Sequence, residues 1–257
     1  MGSTGTTKFI VEVAQDKFED FTTVSVAVKA APLNSNTRFI IRIKPIIYKD
    51  KERIIINFNL TFITLIGDDI SKTIITFDLS NGYEIPTIHT GTLSVKWRGF
   101  VAKSITIENS AGAENHQAAA LYNGSNQSAF QNCRFLGYQD TLYAHQNRQF
   151  YKDCNIYGTV DFIFGHASAI FQDCRIFARC ARPSFLDGVV DLKGWTEWPG
   201  KPVDVLYYAE YENRVKWQGY HVPKDSKEAE GFTVAKFIDG NSWLPETGVP
   251  YRAGLLN

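Results

Sequence analysis

The stretch that decides the fold is FQNCRF, at Phe130–Phe135, because it recurs twice downstream. YKDCNI stands at Tyr151–Ile156 and FQDCRI at Phe171–Ile176, so the copies begin 21 and then 20 residues apart. Each copy runs aromatic, polar, Asn or Asp, Cys, polar, apolar. A fixed period near twenty is typical of a protein that stacks one supersecondary unit on the next.

A second motif repeats with the same offset. GYQDTLY, at Gly137–Tyr143, matches GTVDFIF, at Gly158–Phe164, and both read Gly-x-x-Asp-x-apolar-aromatic. Each Gly follows the Cys of its own copy by four residues. Two motifs that share one offset indicate a structural repeat rather than a chance resemblance.

The repeated segments are short and rich in aromatic and β-branched residues, which favours strands. A leucine-rich repeat needs several Leu in each copy, and these copies contain almost none. We therefore predict an all-β fold, a right-handed parallel β-helix whose coils stack along one axis. Each repeated Cys and the apolar residue two positions later should face its core. The runs Phe39–Ile43 and Ile74–Phe77 are interpreted as earlier strands.

Both ends of such a stack need a cover, because an open sheet edge invites aggregation. A capping helix is predicted at the N-terminal end, begun by Thr22 or Thr23 and stopped by Pro32. The C-terminal region, 228–256, is predicted to be an irregular tail that wraps the stack. The apolar stripe of the capping helix comprises Val24, Ala27, Val28 and Ala31.

Composition limits the class of protein. The chain has 257 residues, of which 44% are hydrophobic, so we predict a single domain over residues 1–257. Lys plus Arg and Asp plus Glu are balanced at 27 each, which gives no electrostatic case for nucleic acid or an anionic membrane as partner. From the sequence we expect no membrane span, no signal peptide and no metal site. Sequons at Asn59, Asn123 and Asn126 fit a secreted protein.

Stacking has a chemical consequence for the second motif. Asp140 and Asp161 should occupy equivalent places on successive coils, roughly 5 Å apart. Like charges at that distance hinder each other's ionisation, so the pair offers one protonated acid and one ionised nucleophile or base. The alternative is that both are turn residues whose side chains satisfy the local backbone. Neighbouring aromatic residues, which suit a sugar site, favour the chemical interpretation but could equally pack in the core.

Three blocks resemble the signatures of the pectin methylesterase family: HQAAAL at His116–Leu121, GYQDTLY at Gly137–Tyr143 and DFIFG at Asp161–Gly165. Further similarity includes GWTEW at Gly194–Trp198 and SWL at Ser242–Leu244. The resemblance covers nearly the whole chain and is closest in character to the plant enzymes.

The resemblance implies hydrolysis of the methyl esters of pectin (polygalacturonate) with release of methanol. Asp161 would be the nucleophile and Asp140 the acid and base. Gln117 and Gln139 would donate hydrogen bonds to the oxyanion, although both could simply form a polar ladder on the coil surface. Substrate-binding positions would be Thr92 and Trp195, and no metal or cofactor is implied.

Disulfide pairing cannot be chosen from geometry alone. Cys133 and Cys154 should lie near strand spacing, and Cys174 should lie equally close to Cys154. The resemblance implies a Cys133–Cys154 disulfide, and the alternative is three free buried thiols stacked in the core.

The chain also departs from the family pattern. The family has a Leu-Gly-Arg-Pro-Trp block whose Arg fixes the nucleophilic carboxylate, whereas this chain has Arg182-Pro183-Ser184. Only 29 residues separate Gly165 from Gly194, so we predict that the domain is shortened between about residues 178 and 184, by about two coils. The basic residue that usually follows the first block is replaced by Tyr122.

Three functions therefore remain in view. The first is an active pectinesterase, and the second is a catalytically impaired homologue that at most binds pectin. The third is a pectin glycosidase on the same scaffold, since carboxylates near 5 Å suit a retaining glycosidase. The resemblance further implies methylated homogalacturonan as substrate, a proteinaceous pectinesterase inhibitor as partner, a monomer, and residence in the extracellular cell wall.

Overall fold

A computed structural model describes residues 9–16, 19–179 and 223–255 of the chain. Arg182, Trp195 and most of the segment expected to be shortened lie outside these residues. Within them the fold is the predicted parallel β-helix, and every pairing between its strands is parallel.

The coils are made of three sheets that the chain visits in turn. The first sheet comprises β1 (Phe9–Val13), β2 (Phe39–Ile43), β5 (Ile63–Gly67), β8 (Val101–Lys103), β11 (Ser128–Gln131), β14 (Arg148–Lys152) and β17 (Ser168–Gln172). The second comprises β3 (Ile47–Tyr48), β6 (Ile74–Phe77), β9 (Thr106–Asn109), β12 (Arg134–Leu136), β15 (Asn155–Gly158) and β18 (Arg175–Ala178). The third comprises β4 (Ile54–Ile56), β7 (Leu93–Val95), β10 (Leu121–Asn123), β13 (Leu142–Ala144) and β16 (Ile163–Phe164).

The six-residue motif was expected to lie within one strand, but it lies at a corner of the coil between two strands. In its first copy β11 ends at Gln131 and β12 begins at Arg134. Asn132 makes the corner with a left-handed φ of 51°, and Asp153 and Asp173 repeat it at 54° and 56°. Asn and Asp tolerate this conformation better than other non-glycine residues, which explains why the motif demands them.

The other positions of the motif form columns inside the helix. Phe130, Tyr151 and Phe171 stack nearly parallel, with successive ring centroids 5.1 and 4.7 Å apart. Two of the three apolar positions that follow the Cys, Phe135 and Ile156, are fully buried, as predicted, whereas Ile176 in the third copy is 54% exposed. The repeat therefore exists because each coil presents the same side chain to its neighbour.

The cysteines stack as free thiols, so the Cys133–Cys154 disulfide is not formed in this structure. In-register positions on parallel strands carry Cβ atoms that point the same way and stay near the strand spacing of about 4.8 Å, beyond the Cβ separation that a disulfide prefers. Burial, followed by the neighbouring Cys133 and Cys174, raises the pKa of Cys154 well above that of a free thiol. The structure therefore contains a column of free thiols, in which Cys133 and Cys154 are buried and Cys174 is partly buried.

The predicted N-terminal cap is confirmed as α1 (Val24–Lys29). Thr23 is its N-cap, and its hydroxyl accepts a hydrogen bond from the Val26 amide at 3.3 Å. The helix ends before Pro32, and the four residues of its predicted apolar stripe are all at most 5% exposed. It packs against β1, β2 and β4 and covers the first coil.

The tail packs on the outer face of the first sheet and contains three short helices, which a purely irregular tail would lack: α2 (Ser226–Glu230), α3 (Val234–Phe237) and α4 (Leu244–Thr247). Trp243 and Leu244 join a second core cluster with Val101, Ala129 and Phe150 of the sheet. The Gln172 side chain also pairs with the backbone of Arg252, at 2.8 and 3.1 Å.

Candidate active site

The Gly-x-x-Asp motifs form the turns between the second and third sheets. Asp140 and Asp161 both adopt left-handed φ values, 66° and 47°, immediately before β13 and β16. β13 and β16 pair in register, so the two Asp residues stack about one strand spacing apart. The glycines are required because a Cβ on Gly158 would lie 2.2 Å from Cβ of Phe162. The aspartates are thus turn residues and a carboxylate pair at once.

The two carboxyl groups have different environments. Asp140 is 2% exposed, whereas Asp161 is open to solvent. Burial, and secondly the charge of Asp161, raises the pKa of Asp140 to about 7. Near neutral pH a substantial share of the buried member is therefore protonated, while the exposed member is hydrated and accessible, as general acid and nucleophile would need to be.

Gln117 and Gln139 stand at the rim of this pair. Both are partly exposed, and their backbone carbonyls accept hydrogen bonds from Asn81 and Ala118. Neither side-chain amide hydrogen-bonds to another residue that the structure describes, so both remain available as donors. A polar ladder along the coil surface would instead have tied them to each other.

Thr92 is fully buried rather than exposed on the groove. Its hydroxyl donates to the carbonyl of Glu108 at 2.8 Å, and its amide donates to Ala119. Its part in substrate binding stays a prediction, and the position makes that part an indirect one. Trp195 lies outside the described residues.

An aromatic surface adjoins the carboxylates on the outward face of the third sheet. Tyr143 and Phe164 stack with their ring centroids 4.2 Å apart, and Tyr122 meets Tyr143 edge-on. The Tyr122 hydroxyl lies 2.9 Å from Nδ1 of His145. Burial, and secondly the charge of Asp140, raises the pKa of Tyr143.

Sequence reasoning missed the link between Tyr122 and His145. The sequence feature that could have revealed this contact is Tyr122 itself, which stands where the family has a basic residue and whose hydroxyl needs a hydrogen-bond partner. It also missed Arg179, whose guanidinium lies 4.2 Å from the centre of the Tyr138 ring and donates to the Gly137 carbonyl at 2.9 Å. Arg179 thereby braces the turn that carries Gln139 and Asp140.

No described residue forms an ion pair with Asp161, and Arg182 lies outside the described part of the chain. Among the residues described, no group of three or more His, Cys, Asp or Glu side chains is placed to hold a metal ion. No helix in the same part of the chain has both the length and the apolar character needed to cross a membrane.

Comparison with protein families gives one result. The family model described as Pectinesterase matches residues 10–184 and 180–241, two segments that meet where the shortening is predicted. The chain is 39% identical to a putative pectinesterase/pectinesterase inhibitor of Arabidopsis thaliana and 38% identical to pectinesterase 2 of Citrus sinensis, over 95% of its own length in both cases. It spans only 55% and 60% of those relatives.

Solved structures agree with this result. Pectin methylesterase from carrot superposes with a TM-score of 0.83 at 36% identity, and the match covers 99% of this chain and 100% of the carrot chain. Pectin methylesterase PemA from Erwinia chrysanthemi gives a TM-score of 0.63 at 30% identity, covering 71% of this chain and 58% of that one.

Proposed function

Because this chain belongs to the pectinesterase family, we propose that it hydrolyses the methyl esters of pectin and releases methanol. The observation that carries the proposal is the stacked pair of unlike carboxyl groups, one buried with a pKa of about 7 and one exposed. That pair stands beside two unengaged glutamine amides and an aromatic surface.

In the first half of the proposed reaction, a carboxylate oxygen of Asp161 attacks the ester carbonyl carbon. The carbonyl oxygen takes up the negative charge, and the amides of Gln117 and Gln139 donate hydrogen bonds to it. The bond to the methoxy group then breaks, and Asp140 transfers its proton to the departing oxygen. Methanol leaves, and the galacturonate remains as an anhydride on Asp161.

In the second half, Asp140 is a carboxylate and accepts a proton from a water molecule. The water oxygen attacks the acyl carbon, the anhydride bond breaks, and Asp161 departs as a carboxylate. The burial that raises the pKa of Asp140 makes it a better acid and base near neutral pH than an exposed Asp would be. Both residues end in their starting protonation states.

Partners and location follow from the same proposal. Methylated homogalacturonan would lie across the Tyr143–Phe164 stack, whose flat rings suit sugar faces. A proteinaceous pectinesterase inhibitor is the proposed protein partner, and the cell wall the proposed location. The protein would act as a monomer, as a single domain, without a metal or cofactor.

A specific observation also supports the second candidate, an impaired pectinesterase that at most binds pectin. Asp161 lacks an ion pair among the described residues, and the family's Arg block is missing from the sequence. A cation beside a carboxylate lowers its pKa by roughly 1–3 units and would keep the nucleophile ionised. The alignments to relatives span 304 and 312 positions, more than the 257 residues here, which is consistent with a shortened chain.

The deciding experiment is methanol release from highly methylated pectin by the purified protein, with Asp161→Ala as the matched control. We expect release from the wild type and none from the variant. A folded, β-rich wild type that released no more methanol than Asp161→Ala would leave the impaired homologue as the function. New reducing ends instead of methanol would indicate the glycosidase.

A further inference from the structure

A second surface of the solenoid has the chemistry of an acidic-sugar site. It consists of the turns that join the third sheet to the first, which we call the amide-rich turn face. Its residues are 57–62, 96–100, 124–127, 145–147 and 165–167, on five successive coils. The carboxylate pair lies at the opposite ends of the third-sheet strands.

Two aromatic rings are exposed on this face. Phe58 follows β4 and is 58% exposed, and Trp97 follows β7 and is 37% exposed. Their ring centroids are 5.5 Å apart with planes at 75°, so they form an edge-to-face pair. Exposing two large rings side by side costs hydration free energy, and a contiguous exposed apolar patch commonly marks a binding site.

The charges on the amide-rich turn face are all of one sign. Its five turns contain no Asp or Glu, whereas Lys96 and Arg98 flank Trp97. Neither cation forms an ion pair with a residue that the structure describes. From the tail, Asp239 pairs with Arg148 at 3.2 Å and the charge of Glu246 acts on Arg38, so both acids already face a cation.

Exposed amides complete the surface. Carboxamides both donate and accept hydrogen bonds, as sugar hydroxyl groups require. Rings, amides and unpaired cations together suit an anionic polysaccharide better than a neutral one or a protein partner. The exposed amide side chains of this face are Asn57, Asn59, Gln146 and Asn147.

We propose that the amide-rich turn face binds de-esterified galacturonan, with sugar rings against Phe58 and Trp97 and free carboxylates on Lys96 and Arg98. Trp97 follows β7, and Asp140 precedes β13, two coils further along the stack. The two coils are therefore about 10 Å apart along the axis of the β-helix. The identity of the polymer rests on the proposed function, since this polymer is its product. The site itself does not require the carboxylate pair.

The test is binding of fully de-esterified polygalacturonate, followed by affinity electrophoresis and titration calorimetry on protein made in bacteria, so that Asn59 carries no glycan. We expect Phe58→Ala and Trp97→Ala each to weaken binding by about tenfold, the upper range for one aromatic contact. Lys96→Gln with Arg98→Gln should weaken it further and flatten its salt dependence. Phe237→Ala removes a ring of similar exposure, 38%, from the tail and should change nothing.

The proposal would be overturned by a wild type without affinity for polygalacturonate, or by ring variants that bind as tightly as the wild type. Equal binding of neutral dextran would also overturn it, since the cations would then have no role. Asp161→Ala separates this site from the proposed function. This substitution should abolish methanol release. In the Asp161→Ala background, Trp97→Ala should still weaken polygalacturonate binding by the same factor as it does in the wild type.

Discussion

Asp140 is a carboxyl group whose burial should be visible in the stability of the protein. Its pKa is raised to about 7 when folded, against about 3.9 in an unfolded chain. The folded state therefore holds the proton more tightly, and the resulting stability is full below about pH 4. It is lost as the pH rises through 7, by on the order of a few kcal/mol.

We predict that Asp140→Asn, which cannot ionise, is more stable than the wild type at pH 8 and equal to it at pH 4. Urea unfolding at pH 4, 6 and 8 measures the difference. Asp161→Asn is the matched control because it removes only the smaller cause of the raised pKa. It should shift the transition to lower pH. Loss of the whole pH dependence in that variant would show that repulsion, not burial, dominates.

The same residue shows what the sequence alone could establish. The offset of 21 placed Asp140 and Asp161 on adjacent coils, and this was enough to predict a coupled pair. Which member is buried could not be predicted, because both copies share the pattern and burial depends on the place in the stack. The strand after Asp140, β13, lies between β10 and β16, whereas β16, after Asp161, is the last described strand of the third sheet. The pairing of the cysteines could not be predicted for a similar reason, since the Cβ directions are set by the in-register stacking of whole strands.

At the scale of the element, the corner of the coil decides which residues the repeat needs. Asn132 is left-handed, and its side chain donates to the Ser104 hydroxyl at 3.0 Å, one coil earlier. The pattern was interpreted as a strand because aromatic and apolar positions flank it. The alternation of apolar and polar residues does not reveal a single left-handed residue. The Asn or Asp at the same place in all three copies could have indicated it.

We predict that Asn132→Gly costs less than about 0.5 kcal/mol, because glycine adopts this φ freely. Asn132→Val should cost about 1–2 kcal/mol, because a β-branched residue is strained there. Thermal unfolding of both variants measures the contrast. Equal destabilisation by Gly and Val would mean that the Ser104 hydrogen bond, and not the backbone, determines the residue.

At the scale of the whole molecule, the tail holds the coils together from outside. Trp243 is 5% exposed, and its indole N–H donates to the Ile238 carbonyl at 3.0 Å. The sequence predicted that a tail would wrap the stack, but not where it would dock. The docking face is chosen by Val101, Ala129 and Phe150, which point outward from the first sheet and which the inward-facing pattern did not reveal.

We predict that Trp243→Ala lowers the free energy of unfolding by about 3–5 kcal/mol, the usual cost of truncating a buried large aromatic residue. Phe237→Ala, in the same tail but 38% exposed, should cost much less. Chemical denaturation of the two variants compares them. A similar loss in both would contradict a docking site centred on Trp243.

The order of the coils along the chain affects how the protein could fold during its synthesis on the ribosome. Phe39 pairs with Ile63, 24 residues later, and Tyr151 pairs with Phe171, 20 residues later, so each coil can close soon after it emerges. The helix α1 seals the first coil before the others exist. The tail is different, because its hydrogen bonds to the coils span 79 to 145 residues, from Arg252 with Asp173 to Lys103 with the Gly248 carbonyl. Synthesis would thus build the solenoid coil by coil, and the tail, once it had emerged, would fasten the coils together.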